Sequence, residues 1–125
     1  MTANVGGNPW VAKTVSFKGG LTGALYDASG FVNDQDRISF QFVNTNNLIL
    51  NKYYDLDTKS SVENLNANVS YYLRGNNYMS KKGTFVITKF KSGEYIEGEI
   101  NVAVSNFIDK DIQISDCIFK IEIKE

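Results

Sequence analysis

The chain has 125 residues, enough for one domain with a buried core, and its 13 basic and 14 acidic side chains leave a formal charge of −1. This balance lacks the basic surface that neutralises phosphates, so nucleic acid is not expected as a partner. With no histidine and only Cys117 as cysteine, the composition excludes an intramolecular disulfide, the usual Cys/His zinc sites and histidine-dependent nucleophilic catalysis. We therefore expect a single domain over residues 1–125 that needs no cofactor.

Alternating apolar and polar residues predict a series of short β-strands, and no helical stripe of useful length interrupts them. In chain order the predicted strands are Trp10–Lys18, Leu21–Asp27, Arg37–Asn44, Leu48–Leu56, Asn68–Arg74, Gly83–Phe90, Tyr95–Val104 and Ile112–Lys124. Glycine- and asparagine-rich turn sequences are found at Gly19-Gly20, Asn44–Asn47, Gly75–Asn77 and Lys91–Glu94. This organisation predicts an all-β domain, an antiparallel β-sandwich of about eight strands, with a closed or partly open β-barrel as the alternative.

The last predicted strand contains a shift in its alternation. Ile112 and Ile114 stand at even positions, whereas Phe119 and Ile121 stand at odd ones, and a regular strand cannot bury both sets on one face. We expect a β-bulge or sharp bend within Ser115–Ile118, because one extra residue resets the alternation. The alternative is that the strand crosses from one sheet to the other, as the corners of sandwiches allow.

Three segments in the last third of the chain carry a family resemblance: Gly83–Lys89, Tyr95–Val102 and Ile112–Phe119. Shorter matches are Gly7-Asn8-Pro9-Trp10, Tyr54-Asp55-Leu56 and Asn68–Tyr71. Together they resemble the signature strands of small secreted lipoprotein domains of unknown function from Bacteroidetes. The chain departs from the family pattern at Ile100 and Val102, where phenylalanine is usual, and at Cys117, where glycine is usual.

The resemblance implies an exported protein, located in the cell envelope or outside the bacterial cell. It also implies that membrane attachment occurs only through a lipid anchor on a longer precursor. Met1–Gly7 has neither the basic nor the apolar region of a signal peptide, and no apolar run reaches the length of a membrane span. The resemblance implies no catalytic activity.

Tyrosine pairs are the most suggestive signal for a ligand. In Tyr53-Tyr54 and Tyr71-Tyr72, one ring of each pair should point away from the face that its neighbour occupies. Outward rings could form a flat platform for sugar rings, although tyrosine also favours strands for purely structural reasons. Trp10 is expected in the core, with ligand stacking as the alternative. The candidate ligand-binding residues are Tyr53, Tyr54, Tyr71, Tyr72, Tyr78 and Trp10.

Two groups of acidic residues suggest other chemistry. Glu97 and Glu99 lie two residues apart on one predicted strand, which separates their carbons by roughly 6.5–7 Å. This separation could suit an inverting glycosidase, whose two carboxyl groups lie about 6.5–9.5 Å apart. The simpler interpretation is the solvent-facing side of an amphipathic strand. Asp27, Asp34 and Asp36 are a weak candidate for a Ca²⁺ site in a loop, but they lack EF-hand spacing and also suit ordinary turns.

These observations favour a non-enzymatic exported or surface-attached domain that binds a ligand or partner. A glycan is the first candidate, because the tyrosine pairs suggest a sugar platform. The alternative is a structural or interaction module that binds an envelope protein. A third hypothesis is a carboxylate-dependent glycoside hydrolase that uses Glu97 and Glu99.

Overall fold

The computed structural model describes residues 1–19, 25–43, 48–56 and 67–122. Within these ranges the regular secondary structure consists of β-strands without helices, so the expected all-β class is confirmed. The strands are β1 (Thr2–Val5), β2 (Asn8–Val11), β3 (Thr14–Gly19), β4 (Leu25–Asn33), β5 (Asp36–Val43), β6 (Tyr53–Asp55), β7 (Asn68–Leu73), β8 (Asn76–Lys91), β9 (Tyr95–Ser105) and β10 (Ile112–Glu122).

Nine strands form one continuous antiparallel sheet in the order β2-β1-β10-β9-β8-β7-β5-β4-β3, and β6 pairs with β8 outside this path. Most strands pair with their neighbours in sequence, which is the arrangement that short turns favour. The sheet curls into a half-barrel, because the rings of Phe40 on β5 and Phe119 on β10 lie only 5.8 Å apart across its interior. This architecture is consistent with the expected sandwich and with its partly open barrel alternative.

The two edge strands of the sheet, β2 and β3, are joined by only Ala12 and Lys13. The Ala12 amide donates to the Met1 carbonyl oxygen at 3.0 Å, and the Lys13 amide donates to the Phe31 carbonyl oxygen at 2.8 Å. The first bond extends the β1–β2 pairing and the second extends the β3–β4 pairing. The chain therefore passes directly from one edge of the sheet to the other, and the curl brings both edges together at this corner.

The concave face of the sheet holds one hydrophobic core. On β9 the buried side chains alternate with partly exposed ones from Ile96 to Val104, as the sequence pattern predicts. Aromatic rings fill much of the interior, and each buried phenylalanine contributes about 1.5–3 kcal/mol through removal from water. The interior aromatic residues in contact are Phe17, Tyr26, Phe40, Phe42, Phe85, Phe90 and Phe119. Gly98 leaves the space for Phe119, since a Cβ atom there would lie 2.7 Å from that ring.

The predicted bulge in the last strand is confirmed. The register between β9 and β10 shifts between Ile114 and Cys117, and Asp116 has a φ of +50°. The Asp116 amide donates to the Asn101 side-chain oxygen at 2.9 Å, which satisfies a donor displaced from the ladder. As a result, Ile114 and Cys117 are both fully buried despite the odd-numbered step between them.

The remaining differences from the predicted elements have local causes. Thr2–Val5 is an additional strand that the short, glycine-flanked sequence did not reveal, and Trp10–Lys18 is divided where the chain changes edges. The turn at Lys91–Glu94 is confirmed by a 3.0 Å bond from the Glu94 amide to the Lys91 carbonyl oxygen. The other glycine turn is centred on Arg74-Gly75, with φ angles of +48° and +87°, and β8 already begins at Asn76. Of the other predicted turns, Asn44–Asn47 and Gly20 lie outside the described residues.

Candidate functional site

The structure does not assemble the expected tyrosine platform. Tyr54, Tyr71 and Tyr78 are at most 7% exposed and belong to the core. Tyr53 and Tyr72 are the outward rings of their pairs, but Tyr53 on β6 is opposite Val86, whereas Tyr72 on β7 is opposite Arg37. The platform prediction is therefore corrected: the alternation of side chains sends one ring of each pair inward, and the two outward rings lie on separate parts of the sheet.

Trp10 is a core residue that connects β2 to β5. Its Nε1–H donates to Asp36 Oδ1 at 3.0 Å, and the Tyr71 hydroxyl also hydrogen-bonds the Asp36 carboxylate. The Tyr78 ring lies 6.1 Å from that of Tyr71. Three of the predicted ligand-binding residues thus form a buried cluster around one carboxylate. This cluster holds strands together and leaves no aromatic face for a ligand.

Burial raises the pKa of Tyr71 to about 12, and the charge and hydrogen bond of Asp36 contribute in the same direction. The unfolded chain has an ordinary tyrosine pKa of about 10. The stability due to this shift is therefore fully present below pH 10 and is lost as the pH rises through about 12. We expect the free energy of unfolding to fall more steeply over this interval in the native protein than in Tyr71→Phe, as measured by urea titrations. Parallel curves for the two proteins would contradict this expectation.

Cys117 behaves as the small buried residue that the sequence suggests. Its side chain is fully buried on the inner face of β10, and burial raises the pKa of its thiol to about 12. The thiolate is the reactive form of cysteine, so the folded protein keeps this residue inert at neutral pH.

The acidic residues proposed for Ca²⁺ do not form a site. Asp27 lies within β4, opposite Gln41 on β5. Asp36 is the first residue of β5, five residues before Gln41. Asp36 is therefore about 17 Å along the strand from the position opposite Asp27. Asp34 lies exposed in the turn between these strands, and Asp36 is bound by Trp10. Among the described residues, no group of three potential acidic, cysteine or histidine ligands is close enough to hold a metal ion. The prediction of a shared loop was wrong because β4 extends from Leu25 to Asn33 and includes Asp27.

Glu97 and Glu99 do share the partly exposed face of β9, as the alternation predicts. Glu97 Oε1 lies 3.9 Å from Lys120 Nζ, in an ion pair on the outer face. A cleft of about 860 Å³ at the ends of β9 and β10 includes Glu97 but not Glu99. The cleft therefore does not bring the two carboxylates together around one space.

A row of four serines crosses the outer face of the sheet. Ser16 on β3 is opposite Ser29 on β4, Ser29 is opposite Ser39 on β5, and Ser39 is opposite Ser70 on β7. Neighbouring strands are separated by about 4.8 Å, so the row is about 14 Å long. Small side chains in register form the floor of a groove that runs across the strands.

Larger side chains flank the serine row on both sides. Cross-strand register places Thr14, Phe31, Arg37, Tyr72 and Asn77 along one side, and Lys18, Asp27, Gln41 and Asn68 along the other. A shallow cavity of about 200 Å³ lies over the serine row, and its flanking walls are Phe31, Arg37, Lys18, Asp27 and Gln41. We call this surface the serine groove.

The floor of the serine groove is held by hydrogen bonds. The Ser29 hydroxyl donates to Asp27 Oδ1 at 2.5 Å, and the Gln41 side-chain amide donates to Asp27 Oδ2 at 3.0 Å. The Ser29 and Ser39 oxygens are 2.9 Å apart. Because Ser29 has a single hydrogen and Asp27 only accepts, Ser39 donates to Ser29. Both oxygens of Asp27 are thus fixed in position, and each retains capacity to accept from a ligand.

An aromatic ring and a cation form the wall on the opposite side of the groove. The Arg37 guanidinium lies 5.0 Å from the centre of the Tyr72 ring. This contact holds two long side chains in one arrangement. The groove therefore has hydrogen-bond donors and acceptors on its floor and an arginine beside an aromatic ring along one side.

Sequence reasoning identified Tyr72 and Asp27 but not the surface that contains them both. Each serine occupies an outward position on its strand, next to an inward residue such as Phe17 or Phe40. The only signal in the sequence is therefore a small polar residue at an outward position on four strands. Their alignment depends on the register of three strand pairs, which alternation alone does not give.

Comparisons of the chain with protein-family models, with curated proteins and with solved structures find no match. None of the described residues belongs to a helix long and apolar enough to cross a bilayer.

Proposed function

We propose that the protein is a non-enzymatic binding domain and that the serine groove binds a carbohydrate. The observation that carries this proposal is the in-register row of Ser16, Ser29, Ser39 and Ser70 with the Tyr72 ring beside it. Sugar hydroxyls both donate and accept hydrogen bonds, whereas the C–H face of a sugar ring packs on aromatic rings. The groove offers both kinds of contact along a length that suits a short oligosaccharide.

Charge in the groove also suits a polar, weakly charged ligand. Lys18 lies directly opposite Asp27 in the β3–β4 pair, and Arg37 is held by Tyr72. The cations are therefore placed beside an acceptor carboxylate and a ring, rather than concentrated into an anion site. A polymer with many hydroxyls and few charges matches this arrangement best.

We further propose that this domain acts outside the cell or in the bacterial cell envelope, as part of a longer exported precursor. The support is the resemblance of the segments now seen as parts of β8, β9 and β10 to secreted lipoprotein domains. In such a setting a glycan-binding groove would meet polysaccharides of the envelope or of the surroundings.

The test is binding to a glycan array, followed by affinity gel electrophoresis with any polysaccharide that responds. We expect Tyr72→Ala to bind at least about tenfold more weakly, a loss of about 1.4 kcal/mol, because the ring face is removed. Tyr53→Ala is the matched control, since Tyr53 is an exposed tyrosine on β6, opposite Val86 and away from the serine row. Ser70→Leu, which fills one end of the floor, should weaken binding as well.

Failure to bind any glycan would overturn the proposal, and so would an equal loss in Tyr53→Ala. Circular dichroism of each variant separates lost binding from lost folding. Tyr54→Ala is unsuitable as a binding variant, because Tyr54 is buried and stacks on Phe85 at 5.3 Å.

A further inference from the structure

The loop between β9 and β10, residues 106–111, carries two apolar side chains, Phe107 and Ile108, that are not part of the core. Phe107 is 79% exposed and Ile108 is 88% exposed, more than any other large apolar side chain in the described part of the chain. Keeping both side chains in water is unfavourable, because the free energy falls when apolar surface is removed from water. We call these two residues the apolar tip.

The backbone of the apolar tip is closed by hydrogen bonds within the loop. The Phe107 amide donates to the Ser105 hydroxyl oxygen at 3.0 Å, and the Ile108 and Asp109 amides donate to Asn106 Oδ1 at 3.0 and 2.8 Å. The Asn106 amide group in turn donates to Asp109 Oδ2 at 2.9 Å. Three successive backbone N–H groups are thereby satisfied without water or a partner.

The backbone conformation at Phe107 is unusual. Its φ angle is +63°, in the left-handed region that bulky side chains rarely adopt. A residue held in this region requires the surrounding structure to enforce it, and such residues concentrate at functional sites. In this loop, the Ser105 and Asn106 side chains fix the backbone at Phe107 and Ile108 while both apolar side chains remain exposed.

These features fit a lipid interface better than a protein partner. A lipid environment provides few partners for backbone polar groups, so a segment that enters it must satisfy them internally. A protein groove can supply those hydrogen bonds itself and does not require a self-satisfied loop. Phenylalanine and isoleucine beside polar residues are also typical of segments that insert shallowly into membrane surfaces.

The charges near the apolar tip are balanced. Lys81 Nζ lies 3.0 Å from Asp111 Oδ2, and Lys110 stands between Asp109 and Asp111 in the chain. With two acidic and two basic side chains, this end of the molecule gains no net attraction to anionic lipids. A neutral, zwitterionic membrane surface is therefore the matching partner.

We propose that Phe107 and Ile108 insert into the interfacial region of a zwitterionic bilayer and hold the domain against its surface. Two side chains give weak and reversible attachment, so the contact acts together with a second attachment to the same membrane. The apolar tip lies on the loop between β9 and β10 and is separate from the serine groove, which lies on β3, β4, β5 and β7. It adds a direct contact with lipid to any anchor on a longer precursor.

The test is flotation of the protein with phosphatidylcholine vesicles at increasing lipid concentration. We expect the double variant Phe107→Ser/Ile108→Ser to partition about tenfold to a hundredfold more weakly, because it loses both apolar side chains that shallow insertion would partly remove from water. Val11→Ser is the matched control, since Val11 is 62% exposed on the edge strand β2. In Phe107→Trp, vesicle binding should persist, and the emission of the new indole should shift to the blue.

Absence of flotation with phosphatidylcholine would overturn the proposal, as would an equal loss in Val11→Ser. Flotation only with anionic vesicles that salt abolishes would indicate electrostatic attachment and would also overturn it. A concentration-dependent oligomer that disappears in the double variant, without vesicle binding, would reassign the apolar tip to self-association. Glycan binding measured on the same variants is expected to be unchanged, which separates this result from that for the serine groove.

Discussion

Replacing Phe40 with alanine is expected to lower the free energy of unfolding by about 3–5 kcal/mol. Phe40 is fully buried, and its ring lies 5.4, 4.9 and 5.8 Å from those of Phe42, Phe85 and Phe119. It therefore joins β5 to β8 and β10 across the inside of the half-barrel. Its removal leaves a cavity between parts of the sheet that make no hydrogen bonds with each other, so the surroundings can close only in part.

Urea titration followed by circular dichroism measures this loss. Val15→Ala on β3 is the control, because Val15 is 41% exposed and its truncation should cost less than about 1 kcal/mol. Since domains of this size are stable by about 5–15 kcal/mol, Phe40→Ala should be visibly destabilised at ordinary temperature. A loss no larger than that of Val15→Ala would mean that the two halves of the curled sheet do not pack through Phe40.

Replacing Asp36 with alanine should cost about 2–4 kcal/mol, the next largest effect. The change leaves the Trp10 Nε1–H and the Tyr71 hydroxyl without their shared acceptor in a largely buried place. Asp36→Asn should cost less, because the amide oxygen can still accept one of these bonds. Loss of the negative charge in either variant should also lower the pKa of Tyr71 towards its ordinary value.

Asp34→Ala is the matched control for this series, because Asp34 lies exposed in the turn only two residues earlier. Its effect on the free energy of unfolding should stay within about 0.5 kcal/mol. Tyrosinate absorbance, recorded against pH, follows the Tyr71 change independently of stability. Similar losses for Asp34→Ala and Asp36→Ala would contradict the assigned role of the Asp36 carboxylate.

The features that the sequence predicts correctly are those determined by residues close together in the chain. Alternation identifies β9, and the change of phase in β10 identifies the bulge before Cys117. Turn composition identifies the hairpin at Gly93, whose φ angle is +76°. Each of these depends on side-chain direction along one strand or on one backbone torsion, and both can be read from neighbouring residues.

The features that escape prediction depend on contacts between distant strands. In the Tyr53-Tyr54 pair, Tyr54 is the buried ring because it stacks on Phe85, a residue on another strand. The division between β2 and β3 depends on hydrogen bonds from Ala12 and Lys13 to two different strands. Alternation gives the two faces of a strand, but the identity of the inner face follows only from its partners.

The candidate site shows the same limit. Tyr72 was predicted as a ligand-binding residue and does lie outward beside the serine groove, whereas Trp10, Tyr71 and Tyr78 are core residues. Ser29 and Ser39 carry no individual signal, because serine is common on the outer faces of strands. Only the register of β4 with β5 turns these residues into neighbours.

The pairing of β1 with β10 has a consequence for the order in which the protein folds. Thr2 is opposite Ile118, so β1 must wait for β10, the described strand that is farthest from it along the chain. Such long-range pairing slows folding, because the chain loses entropy in closing a large loop before any contact forms. Until β10 emerges, β1 and β9 each keep an open edge that another chain can pair with. The pairing of β1 with β10 and of β9 with β10 therefore removes two open edges in a single step.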